Sequence, residues 1–412
     1  TEKTFEAREQ DFVARQILAE LSGLRVNDST AKHTARIVFG NDRDANKSFI
    51  YTDLSEMFPG YVYDMGKSTY RGEEVGEGGY VHAEEGMYEQ VAVLDVASMH
   101  PTSIIALNAF GEYTPNFKGI VDARVAIKRK QFDVARGMLG GKLAPFLTDE
   151  SKAKDLAYAL KIVINIVYGM TAAKFDNPFR IPNNKDNIVA KRGALFMIDL
   201  KNAVQEAGFD VVHIKTDSIK IPEATPEIIQ FVMDFGARYG YEFEHETTYD
   251  AFCLVNDAVY IARKGKGENA QWEAVGAQFQ HPYVFKALFS EKSIEFNDYC
   301  ETKQVTKGAI YLDHQRLDKP QPADIANMYF IGKIGRFIPV AETSSMAGKL
   351  WRVADDKFYA VAGTKDYLWA EAAVVEGMGS EADIDMRYFE KLAEDARNTI
   401  DYYGSFERFC NG

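Results

Sequence analysis

The sequence predicts an α+β protein in which a buried strand and an antiparallel hairpin are separated by long helices. Three observations predict it. Residues 91–96 (VAVLDV) form a short apolar run rich in valine, the pattern of a buried strand. Residues 211–214 (VVHI) and 218–221 (SIKI) flank a tight Lys215-Thr216-Asp217 and read as a hairpin with Asp217 at its turn. Between them, residues 122–136 and 152–175 carry helical patterning, broken by a turn-like stretch at 137–145.

The remaining elements follow in order. Residues 5–22 read as an amphipathic helix (Phe5, Phe12, Val13, Ile17, Leu18, Leu21) that stops near Gly23. The glycine-rich, polar stretch 60–86 reads as loops. In the helix at 152–175, Lys161, Asn165 and Tyr168 stand at i, i+4 and i+7 and so share a face. A helix at 186–207 stops at Gly208, and another covers 225–240. Short strands occupy 249–276, and mixed elements lead to an amphipathic helix at 386–402. No repeat and no Pro/Gly/Ser-rich linker divides the chain.

A chain of 412 residues is too long for one core and predicts roughly two or three domains. With 46% hydrophobic and 26% charged residues, the composition excludes a disordered chain. No run reaches the roughly 18 apolar residues of a membrane span. The opening TEKTFEAREQ lacks the apolar core of a secretion signal, and a start on Thr1 reads as a processed product or fragment. Three scattered cysteines (Cys253, Cys300, Cys410) suit a reducing compartment and cannot make a four-cysteine zinc site. The net charge of −13 argues against a polyanion partner, yet it hides a segregation. Residues 118–192 hold 15 Lys and Arg against 7 Asp and Glu. This basic block is either a polyanion-binding face or a solvated helical surface, and charge alone leaves both readings open.

Asp95 and Asp217, each at a strand or hairpin position with basic helices between them, suit phosphoryl transfer. That chemistry asks for positioning and positive charge rather than covalent help from the protein. Two divalent ions about 4 Å apart supply it when held by carboxylates of neighbouring strands. A two-aspartate site without histidines fits Mg²⁺ better than Zn²⁺.

The strings around these residues resemble the polymerase motifs of family B DNA polymerases. Asp95-Val96-Ala97-Ser98-Met99-His100-Pro101-Thr102 resembles the first (D-x-x-S-L-Y-P-S), the segment from Lys161 through Asn165 to Tyr168-Gly169 the second (K-x-x-x-N-S-x-Y-G), and Lys215-Thr216-Asp217-Ser218 the third (D-T-D-S). Gly78-Gly79-Tyr80-Val81 looks like the family's Gly-Gly loop, and Arg124 with Lys128 like its triphosphate-binding pair. The resemblance is specific over 78–221 and looser over 240–412, where it is similar to bacteriophage members.

The resemblance implies a right-hand architecture, with an antiparallel palm sheet, helical fingers and a C-terminal α/β thumb. The expected division is an N-terminal region packing on the palm over 1–90, palm over 91–120 and 186–280, fingers over 121–185 and thumb over 281–412. It implies that Asp95 and Asp217 are catalytic and ligate two Mg²⁺ ions (Mn²⁺ as substitute) with the carbonyl of Val96. Arg124, Lys128 and Lys161 would grip the nucleotide phosphates, with Asn165, Tyr168, His100 and Ser98 around the incoming dNTP. Gly78, Gly79, Thr216 and Ser218 would contact primer-template DNA. The implied setting is the cytoplasm of an infected bacterium. A separate or upstream exonuclease module is also expected, because no D-x-E strand pattern precedes residue 90.

Departures from the motifs carry their own expectations. His100 stands where the family has a tyrosine that excludes a ribose 2′-hydroxyl, and a free histidine would titrate between about pH 6 and 8. Ile166 replaces a serine. Lys215 replaces the first aspartate of the third motif, and Ala258 stands where a lysine of a K-x-Y motif is usual; Lys215 is the candidate to replace that charge. Segments 330–337 and 363–369 read equally as primer-template contacts or thumb core. Two other classes remain: a catalytically silent, DNA-binding accessory subunit, and an RNA-making palm enzyme or primase.

Overall fold

Strand alternation and helical stripes build two compact units in a computed structural model that describes residues 8–412. The first unit comprises the chain through Glu84 together with Val91–Thr248; the second comprises Glu85–Gln90 and Tyr249–Gly412.

In the first unit, helices α1 (Glu9–Ser22) and α2 (Thr30–Phe39) come first. Helix α1 stops where Gly23 takes a left-handed conformation, and Phe5 of the expected helix lies outside the described residues. The stretch expected to be loops is instead a small sheet, β1 (Val62–Asp64), β2 (Lys67–Tyr70) and β3 (Glu73–Glu74), paired in that order. Its signal was two X-Gly pairs. Met65-Gly66 and Arg71-Gly72 all have positive φ, which closes two-residue hairpins of the kind that matches strand twist. Strands β4 (Val81–Ala83) and β5 (Gly86–Val96) lead into α3 (Met99–Ala106).

The helix expected at 122–136 is two helices, α4 (Thr114–Lys128) and α5 (Phe132–Gly137). Pro115 sets the first turn of α4, and Lys130 at φ 56° breaks the ladder between them. Helix α6 (Glu150–Thr171) buries Leu156, Leu160, Val163 and Val167 along one stripe and is capped by the Asp149 carboxylate. Helix α7 (Ile188–Glu206) is buried over most of its length, charged residues included. Each of these finds a partner: Lys191 reaches the Val75 and Gly76 carbonyls, Arg192 the Tyr239 carbonyl, Asp199 the Tyr70 hydroxyl and Arg71, and Lys201 Glu73 and the Tyr80 hydroxyl. Buried charge is tolerable on those terms only. The network ties the 70–80 segment onto α7.

Strands β6 (His213–Lys215) and β7 (Ser218–Ile221) form the expected hairpin, and α8 (Pro226–Arg238) follows. Three pairings around the hairpin are antiparallel: β5 with β7 (Asp95 opposite Ser218), β7 with β6 (Ser218 opposite Lys215), and β6 with β4 (Lys215 opposite Val81). The chain then enters β8 (Phe243–Asn256), whose residues through Thr248 belong to the first unit.

The second unit continues with β9 (Val259–Lys264) and β10 (Gln271–Val275), each antiparallel to its predecessor. Helices α9 (Ala277–Gln280) and α10 (Pro282–Phe289) follow. Strands β11 (Glu301–Gln304), β12 (Ala309–Asp313), β13 (Tyr329–Gly332), β14 (Ile334–Val340), β15 (Lys349–Ala354), β16 (Lys357–Ala360) and β17 (Leu368–Glu371) sort into two sheets, ordered β11-β14-β17 and β13-β12-β15-β16. Helix α11 (Ala372–Gly377) precedes α12 (Met386–Tyr403), the expected amphipathic helix, which buries Phe389, Ala396 and Ile400; α13 (Phe406–Asn411) ends the unit. Trp369 is fully buried, so the 363–369 segment contributes to core, whereas Phe330 is 61% exposed. Among the described residues, no helix is long and apolar enough to cross a membrane.

Candidate active site

The two aspartates are brought together by backbone pairing. Asp95 is the penultimate residue of β5, opposite Ser218 on β7, and Asp217 occupies the two-residue turn between β6 and β7. The Val96 amide donates to the Asp217 carbonyl (2.9 Å), and the Thr216 amide donates to the Tyr80 carbonyl (2.9 Å). Thr216 has φ 58°, the left-handed geometry such a turn requires. Gly79 packs against it: a Cβ there would come 3.1–3.3 Å from three Thr216 atoms, at a φ of 152° that side chains rarely adopt. Gly79 and Thr216 therefore meet; Gly78 beside them is exposed.

Burial pushes the Asp95 carboxyl up to about 7, reinforced by the negative charges of Asp217, Glu246 and Glu244 and opposed by Lys220. Asp217 is also raised, first by burial, with its own backbone hydrogen bond and Lys220 acting the other way. A half-buried carboxylate pair in negative surroundings is a poor resting place for two charges and a good one for a cation. Among the described residues no group of three or more His, Cys, Asp or Glu is arranged to hold a metal. A pair of aspartates is nonetheless the donor set Mg²⁺ uses when substrate phosphates and waters complete its shell. The residues present fit that ion.

Ser98 has φ 63° and ψ 54° at the start of α3, which turns the chain sharply after β5. Two residues on, His100 lies flat on Tyr168, ring centroids 3.9 Å apart and planes 7° from parallel. Burial brings the His100 pKa down to about 4, so the ring is neutral from pH 6 to 8, contrary to the titration expected from sequence. Its Nδ1 is buried without a hydrogen-bond partner among the described residues. Tyr168, raised by burial, accepts a hydrogen bond from Asn187.

Lys161 and Asn165 are exposed on the Tyr168 side of α6, while Val163, Ile164 and Val167 face the core. Arg124 is half-buried on α4, its pKa lowered by burial and its Nε without a partner among the described residues. Lys128 is exposed in the last turn. The structure thus joins Asp95 to Asp217, Gly79 to Thr216 and His100 to Tyr168, and leaves Lys161 and Asn165 exposed on one helix face.

Sequence reasoning missed Lys220, Glu244 and Glu246. Lys220 is only 4% exposed, and its Nζ lies 3.1 Å from the Nδ1 of buried His213. It shares a sheet face with Ser218 and Asp95 and bears on both aspartates, whereas Lys215 is exposed. Lys220 is thus a buried positive charge that acts on both aspartates. Strand alternation from Ser218 was the available signal.

No protein-family model matches the chain. DNA polymerase II of Escherichia coli strain K12 is 28% identical over 159 residues, which cover 34% of this chain and 19% of that protein. The structure of a family B DNA polymerase from the hyperthermophilic archaeon Pyrobaculum calidifontis superposes with a TM-score of 0.50 at 13% identity, covering 96% of this chain and 54% of that one. The chain spans about a fifth of the first relative and about half of the second. It is a mixed α/β protein with antiparallel sheets, similar in fold to a family B DNA polymerase over nearly its whole length and in sequence to a DNA polymerase over about a third of it.

Proposed function

We propose that the chain is the polymerising core of a bacteriophage-type family B DNA polymerase, which adds dNTPs to a primer 3′ end on a DNA template. What supports this reading most is the meeting of Asp95 and Asp217 across the β5–β7 pairing, in surroundings that favour a cation. In this reading residues 91–120 and 186–280 form a palm, 121–185 fingers and 281–412 a thumb, with 1–90 packed on the palm.

Asp95, Asp217 and the Val96 carbonyl would hold two Mg²⁺ ions, which acidify the primer hydroxyl and neutralise charge on the triphosphate when bound. The protein's own part is positioning. Lys161, Arg124 and Lys128 hold the phosphates; guanidinium and ammonium groups suit oxygen anions, and the unpartnered Arg124 Nε has a donor to spare. Asn165 and Tyr168 bound the nascent base pair, and His100, stacked on Tyr168, closes the space beside the sugar. Gly78, Gly79, Thr216 and Ser218 present a smooth backbone to primer-template DNA. The setting proposed is phage genome replication in an infected bacterium, with proofreading supplied by another module.

Primer extension by the wild type and by Asp217→Ala tests the assignment. Extension should vanish in the variant while DNA binding persists; wild-type extension by Asp217→Ala would sink the assignment.

A further inference from the structure

Strands β5, β7 and β6 turn one face to the core and the other to the aspartates. Leu94, Val96, Ile214 and Ile219 lie on the core face, buried in one cluster. On the opposite face Asp95 stands across from Ser218, and the next row holds Val93, Lys220 and His213, one from each strand. Lys220 is therefore the diagonal neighbour of Asp95, roughly 7–8 Å away along the sheet and within reach of a long side chain. It also follows Asp217 by three residues on the same hairpin. A lysine on a strand face ordinarily carries its ammonium out to water. This one is 4% exposed, and its Nζ lies 3.1 Å from Nδ1 of His213, itself 1% exposed. His213 supplies a hydrogen bond and no negative charge; Asp95 and Asp217 are where the charge of Lys220 is felt.

We propose that Lys220 is a resident counter-charge that keeps the aspartate pair from filling with metal until a triphosphate arrives, an inference that rests on reading Asp95 and Asp217 as the metal-holding pair. Two half-buried carboxylates repel each other when no ion is bound, and an ammonium beside them relieves that repulsion. The same ammonium opposes a bare divalent cation, so it weakens the free protein's hold on metal. A metal–triphosphate complex carries net negative charge and its own oxygen ligands, and the lysine attracts it. Burial is what makes the device work. An exposed lysine swings aside and is screened by salt, whereas Lys220 is tethered to His213 on the neighbouring strand and shielded from solvent. Lys220 is thus a positioning residue, acting through the two aspartates.

The test is Mn²⁺ binding by the full chain without DNA or nucleotide, followed as loss of the free-ion signal in electron paramagnetic resonance. It is run above pH 8, clear of the Asp95 transition at about 7. Lys220→Met fills a similar volume without a charge and should tighten Mn²⁺ binding at least about 5-fold, since a unit charge about 7 Å from a divalent ion is felt that strongly even through the dielectric of water. Lys220→Gln, which keeps a polar group beside His213, should tighten it likewise, and Lys220→Arg should bind like the wild type. For Mg²⁺·dNTP, measured by equilibrium dialysis, the sign should invert: Lys220→Met should bind roughly 2- to 5-fold more weakly. Asp95→Ala with Asp217→Ala should abolish both the Mn²⁺ binding and its response to Lys220. The proposal is overturned if folded Lys220→Met and Lys220→Gln bind free Mn²⁺ no more tightly than the wild type. Tightening that survives without the two aspartates overturns it too, as does an affinity for Mg²⁺·dNTP that rises in step with that for the bare ion. Neither measurement needs primer extension, so a failure to extend primers would count against the polymerase reading and not against this one.

Discussion

Asp95 in the first unit and Glu301 in the second are both withdrawn from water, and their surroundings drive them in opposite directions. Burial raises Asp95 to about 7, and nearby Asp217, Glu246 and Glu244 push the same way. Burial would raise Glu301 too, but His281, Lys303 and Tyr388 all bond to it and hold it at about 2. The second carboxylate is complete within its own unit. The first is left short of positive charge. A carboxylate that the fold surrounds with donors serves the fold, and one that the fold leaves among other acids awaits something from outside.

The sharpest way to break that contrast is substitution. Asp95→Ala or Asp217→Ala should cut primer extension by at least about 10³-fold without lowering the melting temperature, because neither carboxylate is holding the fold together. Glu301→Ala should do the reverse. It should cost about 3 kcal/mol of stability by stranding Lys303 and leave extension per folded molecule unchanged, as read by denaturant titration beside the activity assay. Equal effects at the two sites would dissolve the distinction.

Next in size is Lys161→Ala. If this exposed lysine meets phosphates only in the working complex, kcat/KM for dNTP should fall about 10²-fold, with both kcat and KM affected and melting unchanged.

The pH dependence of stability sharpens the comparison further. Asp95 has a folded pKa of about 7 against an ordinary 3.8, so it binds more protons folded than unfolded. Its contribution is intact below about pH 4 and is lost as pH rises through 7. Glu301, at about 2 against an ordinary 4.5, contributes above pH 4.5 and loses that contribution as pH falls toward 2. In EDTA, Asp95→Asn should therefore remove a decline in melting temperature between pH 4 and 7, and Mg²⁺ should protect the wild type increasingly over that interval.

The smallest effect is at His100. Because the ring stays neutral, the preference for dNTP over rNTP should be flat from pH 6 to 8. His100→Ala should erode it by roughly 10-fold, since removing the ring opens space beside the sugar. Single-nucleotide kinetics across that range would show either outcome.

What could be read in the sequence divides along the same line. Asp95 and Asp217 could be placed on a strand and at a hairpin turn from local patterning, whereas Gly79 and Tyr168 were singled out by strings that resemble family motifs. Lys220 was not, because its nearness to Asp95 depends on the register of β5 against β7, and register is a long-range fact. Glu244 and Glu246 were hidden for the same reason. The β1-β2-β3 sheet was legible but missed: Met65-Gly66 and Arg71-Gly72 are local hairpin signals that the polar composition around them obscured. In the second unit the strands were visible as apolar runs, yet nothing local says that β11 pairs with β14 and β14 with β17.

The bond from the Thr216 amide to the Tyr80 carbonyl joins residues 136 positions apart. On a ribosome working at about 5–20 residues per second, the acceptor waits roughly 7–27 s for its donor. Over most of that interval the VAVLDV strand has been made and its partner β7 has not. An apolar, unpaired edge is then open to other nascent chains. Synthesis of this protein is therefore most exposed to misassembly between residues 96 and 221, and slowing translation within that window should lower the soluble yield more than slowing it later.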